Sequence, residues 1–191
     1  MRIMDAKTVN YSRTVITELM IPSFANFSRK VHGGTLLSLM DKVAYVCAAK
    51  HSGSYCVTVS VDGVEFREPV EVGELVSLSA SINYVGNSSM IIGIRVESLK
   101  PKTGETKHTN SCYFTMVAKN EDGSLMTVPE LILESHIDVR RFHDAKGLKE
   151  KRRDINDMLH REIKDMTDVE LAADLEGNRC LVRIEEEGKA R

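Results

Sequence analysis

Between Leu36 and Ala48 the chain carries apolar residues at Leu36, Leu37, Leu39, Met40, Val43, Ala44, Val46, Cys47 and Ala48. That spacing matches a helix buried over most of its circumference better than it matches a strand. No other feature restricts the fold as much, because an exposed helix of this composition aggregates and only an enclosing layer takes it out of water. Gly33 and Gly34, just before the run, allow tight backbone turning, and Ser52-Gly53-Ser54 is a fitting stop after it, so the pattern predicts a helix over 34–51. Asp41 is the only acid in the run.

The enclosing layer is legible as strands. Thr14–Ile21 alternates and is rich in β-branched residues up to Pro22. Beyond the helix the period changes to two over Tyr55–Phe66, and three more alternating segments follow at Glu74–Val85, Ser88–Leu99 and Thr106–Lys119. Pro69 and Gly73, Gly86-Asn87, and Pro101–Glu105 separate them. Consecutive strands with short turns predict an antiparallel meander, curled by its own twist round the single helix, in the α+β class.

At 191 residues and 42% hydrophobic content, the chain holds one ordinary domain and an appendage. We place the domain at 1–143 and a charged, amphipathic, helical extension at 144–191. From Asp144 onward, eleven Lys/Arg face thirteen Asp/Glu, so the extension is mixed in sign. Leu148, Ile155, Leu159, Ile163 and Met166 mark its apolar stripe, and Cys180–Ile184 is a candidate short strand. A net charge of -2 gives no bulk attraction to nucleic acid or anionic membrane. No apolar run approaches the roughly 18 residues of a membrane span, and no secretory leader pattern opens the chain, so a cytoplasmic location is expected. The four cysteines, Cys47, Cys56, Cys112 and Cys180, lie far apart, as small core residues of a reducing compartment rather than as a disulfide frame or a zinc site. No metal is expected.

Several short motifs carry a resemblance when taken in order: Pro22-x-x-x-Asn26, Gly33-Gly34, Met40-Asp41 and Pro69-Val-x-Val-Gly-Glu74. Over residues 10–130 the chain resembles the hotdog-fold acyl-CoA thioesterases, specifically the cytosolic acyl-CoA hydrolase family with its broad-specificity bacterial members. The resemblance implies a long central helix wrapped by a curved antiparallel sheet and active sites between two hotdog units. It also implies hydrolysis of acyl-CoA to free acid and CoA, with the functional asparagine and aspartate at Asn26 and Asp41. It departs at Phe24, where the family often has an acid, and at Ser28 or Arg29, where a glycine often follows the asparagine. Glu68 stands where a basic or small residue is common.

Thioester hydrolysis needs an activated water, a donor to the developing oxyanion and an apolar channel. The free N–H groups and positive dipole end of a first helical turn, with glycines allowing close approach, make Gly33-Gly34 a candidate oxyanion donor. Asp41 is a candidate general base on water or, alternatively, a nucleophile. Asn26 is a candidate to position water or donate to the carbonyl. Seven residues of helix separate Gly34 from Asp41, about 10 Å at about 1.5 Å per residue, too far for one small reacting centre. A composite site across a two-fold interface follows, with Asn26 and Gly33-Gly34 from one subunit facing Asp41 of its partner.

No Gly-x-Ser-x-Gly elbow is present, so His32 reads as a loop and substrate-contact residue rather than as a triad base. The resemblance places Asn87, Ser88 and Ser89 near the pantetheine arm. The expected partners are acyl-CoA and self, as a dimer and further as a trimer of dimers, with no cofactor besides the CoA of substrate and product. A non-catalytic acyl-CoA or nucleotide sensor of the same fold is the alternative. A hotdog dehydratase is weaker, since neither His32 nor His51 has an evident acid partner.

Overall fold

The computed structural model describes residues 6–164 together with Thr167, Arg179 and Cys180. In chain order, β1 (Lys7–Thr8) and the single turn α1 (Val9–Ser12) lead into β2 (Thr14–Leu19), and a short 3-10 turn over Pro22–Phe24 precedes the long helix α2 (Gly33–Ser52). Strands β3 (Tyr55–Asp62), β4 (Leu75–Val85), β5 (Ser89–Leu99) and β6 (Thr106–Lys119) follow, then β7 (Leu131–Ile132) and α3 (His136–Lys164). Compact units comprise 1–146 and 147–191.

The apolar run does form the central helix. Met40, Val43, Ala44, Cys47 and Ala48 are wholly buried, against a sheet face that contributes Leu78, Ile92, Phe114 and Met116. Burial of each large side chain stabilises the fold by about 1.5–3 kcal/mol, which ties helix and sheet into one core. The helix ends where Gly53 takes φ 74, a left-handed cap whose N–H reaches Ala49 O at 2.8 Å.

Five strands form the antiparallel sheet in the order β2-β4-β5-β6-β3. A strictly sequential meander is therefore corrected: β4, β5 and β6 are successive neighbours, but β3 joins the far edge beside β6 instead of pairing with β4. The strand expected to reach Phe66 stops at Asp62, where Gly63 turns the chain with φ 65. The segment that follows crosses the sheet from the β3 edge to β4, next to the opposite edge strand β2. Arg67 N–H donates to Thr109 O at 3.0 Å, Asn110 Nδ2 to Glu65 O at 2.8 Å, and Val31 N–H to Val70 O at 2.9 Å. These bonds satisfy a connection that no hairpin could make.

Residues 7–12 carry little sequence pattern, yet they are ordered by tertiary contact. Lys7 and Thr8 pair in parallel with Leu131 and Ile132, and Val9 and Ser12 are buried. The C-terminal helix starts earlier than residue 144, at His136, where Ser135 Oγ accepts the Asp138 N–H at 3.1 Å and donates to Asp138 Oδ2 at 2.7 Å. Of the expected stripe, Ile155 is about half exposed. The side chains of Leu159 and Ile163, Met166, and the strand proposed over 180–184 apart from Cys180 lie outside the described residues. Among the described residues, no helix is long and apolar enough to cross a membrane.

Candidate active site

The loop before α2 is built round Asn26. Ala25 and Val31 form an antiparallel bridge, Asn26 N–H donates to Lys30 O at 2.7 Å, and Arg29 N–H donates to Asn26 O at 3.0 Å. The Asn26 side chain closes the turn, its Oδ1 accepting the N–H of Ser28 at 2.9 Å and of Lys30 at 3.1 Å. Anchoring the carbonyl oxygen fixes the amide and leaves its NH2 group as the end available to a ligand. Lys30 is pinned in turn by an ion pair with Glu71.

At the start of α2 the structure corrects one donor. His32 is the N-cap, and its Nδ1 accepts the Gly34 N–H at 3.0 Å, so Gly34 is not open to an oxyanion. His32 O takes the N–H of Thr35 and of Leu36. Among the described residues only the Gly33 N–H of this first turn has no partner. Neither glycine has positive φ, so turning is not what they supply. A methyl group at Gly33 would lie 3.2 Å from Phe66 Cζ, and one at Gly34 would lie 3.1 Å from His32 Nδ1. Both glycines are there for close approach, the first beneath an aromatic ring and the second beneath the capping imidazole.

Asp41 lies on the exposed side of α2, and its partner is neither Lys42 nor solvent alone. Thr58 Oγ1 donates to Asp41 Oδ1 at 2.6 Å. One carboxylate oxygen is thus held while the other remains free to take a proton. A bulge aims this threonine: Thr58 pairs with Met116 and Ser60 with Thr115, so Val59 is an extra residue that bends β3 beside the contact. Sequence reasoning missed Thr58, which sits in a strand where threonine is unremarkable.

The hairpin at Asn87, Ser88 and Ser89 lies at the opposite end of the sheet from the Asn26 loop but level with Thr58, since Ser89 pairs with Val117 and Val117 with Val57 across β6. Its backbone is docked, Asn87 O accepting from Val128 N–H at 2.9 Å and Ser88 O from Ala118 N–H at 2.9 Å. A cavity of about 590 Å³ opens elsewhere, lined by Ser79, Ser81, Asn83, Gly93, Arg95 and Tyr113 among others, and it includes none of the expected site residues. Burial pushes the thiols of Cys47 and Cys112 up to about 12, which leaves them inert packing groups. No group of three or more His, Cys, Asp or Glu among the described residues could hold a metal ion.

The Thioesterase superfamily model matches residues 30–105, which span the end of the site loop, α2 and β3–β5 and begin after Asn26. Protein VdlD of Helicobacter pylori is 46% identical over 145 residues, covering 76% of this chain and 83% of that protein. An uncharacterized acyl-CoA thioester hydrolase of Bacillus subtilis, YkhA, is 30% identical over 134 residues, covering 70% of this chain and 78% of that one. The chain belongs to the hotdog-fold acyl-CoA thioester hydrolases. A solved apo-hexameric acyl-CoA thioesterase superposes with a TM-score of 0.77 at 32% identity, over 80% of this chain and 98% of that one. In this hotdog hydrolase, helix α2 is the enclosed filling and the five-stranded sheet the wrapping.

Proposed function

We propose that this enzyme hydrolyses acyl-CoA to a free carboxylic acid and CoA, at a site shared between two copies of the chain. The observation that carries the reading is Asp41, exposed on α2 and fixed by Thr58 at 2.6 Å, on the same helix whose first turn leaves the Gly33 N–H open. A base, an oxyanion donor and a family of thioester hydrolases converge there. Asp41 takes a proton from water as the water attacks the thioester carbonyl, and the Gly33 N–H and the Asn26 amide hold the oxygen as charge builds on it. Collapse of the tetrahedral intermediate releases the thiolate, which needs little help as a leaving group because thiols ionise near pH 8.5.

Helix rise keeps Gly33 and Asp41 of one subunit on different reacting centres, since the eight residues between them span about 12 Å. A partner supplies the missing half. Leu37, Tyr45 and Val46 of α2 and Tyr55, Val59 and Val61 of β3 are exposed apolar residues flanking Asp41 and Thr58, and β3 is an edge strand with one side unpaired. An apolar patch beside an open strand edge favours a second copy of the same surface. We extend this to a trimer of dimers, supported by the hexameric relative, in the cytoplasm and with no cofactor beyond the CoA of the substrate. Nothing favours the alternative of a non-catalytic sensor.

The test is thiol release from a panel of acyl-CoAs. Asp41→Ala lowers kcat by about 10²–10⁴-fold, the worth of a positioned base. Asn26→Ala and Asp41→Ala proteins, each inactive, are then mixed in equal amounts and allowed to exchange subunits. A composite site returns about a quarter of wild-type activity, because half the pairs are mixed and each mixed pair has one intact site. No recovery despite proven exchange would put Asn26 and Asp41 in the same subunit's site.

A further inference from the structure

Arg29 is the only non-glycine among the described residues with positive φ, at 58. The chain places glycine at each of the other left-handed positions described, Gly53, Gly63, Gly73, Gly104 and Gly123. A side chain with a Cβ costs energy in that conformation, and glycine would avoid the cost. The position is also tightly specified, since Arg29 N–H donates to Asn26 O at 3.0 Å and the neighbouring amides of Ser28 and Lys30 both bond to Asn26 Oδ1. The loop therefore holds the residue at φ 58 regardless of which side chain it carries.

What the arginine adds is an exposed guanidinium with no carboxylate partner among the described residues. Other cations near this part of the fold are paired: Lys30 with Glu71, Arg67 with Glu65 and Lys107 with Glu74. A strained backbone that presents an unpaired charge is a reason to look for a ligand for that charge. The substrate has a matching group. An acyl-CoA carries its reacting thioester at one end of the pantetheine arm and its phosphates at the other, and a guanidinium fork suits phosphate oxygens.

We propose that Arg29 grips a phosphate of the CoA moiety from the rim of the loop, while Asn26 of the same turn addresses the thioester end. Arg29 is then a determinant of specificity for CoA esters over simpler thioesters. The proposal rests on the acyl-CoA hydrolase reading.

The experiment compares wild type, Arg29→Gly and Arg29→Lys on one acyl group carried either by CoA or by N-acetylcysteamine, which has no phosphate. Arg29→Gly is expected to raise KM for the CoA ester about tenfold with kcat within about twofold, to leave kcat/KM for the N-acetylcysteamine ester unchanged, and to raise the thermal midpoint as strain is relieved. Arg29→Lys recovers part of the KM. Equal losses on both esters would make Arg29 a loop-shaping residue only, and no loss on either would remove it from the binding site; both overturn the proposal. Failure of the hydrolase reading looks different, because wild type would then turn over neither ester.

Discussion

Helix α2 has two ends made to different requirements. At the C-terminal end the carbonyls from Ala48 to His51 are taken: Ala48 O accepts from Ser52 Oγ at 3.0 Å, Ala49 O from Gly53 N–H at 2.8 Å, and Lys50 O and His51 O from Lys7 Nζ at 3.2 and 2.7 Å. The lysine also sets a positive charge against the negative end of the helix dipole. His51 is wholly buried there, with Nε2 3.1 Å from Pro129 O, and this ties the helix to the segment leading into β7. At the N-terminal end His32 satisfies Gly34, Thr35 and Leu36 but not Gly33. A helix end left short by one donor is suited to chemistry once a second subunit's oriented carboxylate faces it. The closed end holds the fold. The contrast predicts that substitutions in the N-terminal half cost turnover and spare stability, and that substitutions at the C-terminal end do the reverse.

The largest effect away from Asp41 itself is expected at Thr58. Thr58→Val keeps the side-chain shape and removes the hydroxyl, so Asp41 loses the bond that fixes its Oδ1. A loosely held base costs about 10²-fold in kcat, with KM and the denaturation midpoint near those of wild type. Thr58→Ser retains the donor and most of the rate. Equal kcat in the valine variant would break the comparison at its active end, because Asp41 would then need no positioning.

Thr58 also shows which parts of the site were legible and which were not. The helix was legible because its apolar spacing is local: the run predicted a start at Gly34 and an end at His51, and α2 spans Gly33–Ser52. Alternation placed β6 at its observed bounds, Thr106–Lys119. Pairings between distant segments were not legible. β3 meets β6 rather than β4, and β1 is a strand only because Leu131–Ile132 lies beside it. The Thr58 contact reaches across 17 residues and depends on how α2 crosses β3, which no local pattern encodes. Gly34 was assigned an open N–H as part of the first helical turn, and the capping imidazole that takes it is not signalled by sequence, since histidine is not among the usual N-caps.

The second effect is at the closed end. His51→Ala removes a buried ring and its bond to Pro129 O, leaving a cavity and an unpaired carbonyl. Together these cost about 2–3 kcal/mol of stability. Urea denaturation at fixed subunit concentration reads that loss, and kcat per folded site stays within about twofold, since the change lies at the opposite end of the helix from Gly33. A drop in kcat as large as that of Thr58→Val would show the two ends to be coupled.

A smaller effect comes from the charge state of the same residue. Burial lowers the His51 pKa below its usual 6.5; the hydrogen bond to Pro129 O pulls the other way less strongly, and the nearby Lys7 ammonium adds a smaller push downward. In the folded protein the imidazole therefore stays neutral at a pH where the unfolded chain has begun to take up a proton. Above about pH 6.5 both states are neutral at this site and it adds no pH dependence. Below that value the unfolded state binds more protons, so stability falls as pH falls, by at most about 1.4 kcal/mol per pH unit, until the folded pKa is reached. His51→Gln cannot titrate, and the difference in unfolding free energy between wild type and this variant should narrow as pH falls from 7 toward 5.5. A difference that stays constant over that range would mean that the buried ring accepts its proton without opening the clasp, and that the closed end of α2 is less sealed than its hydrogen bonds imply.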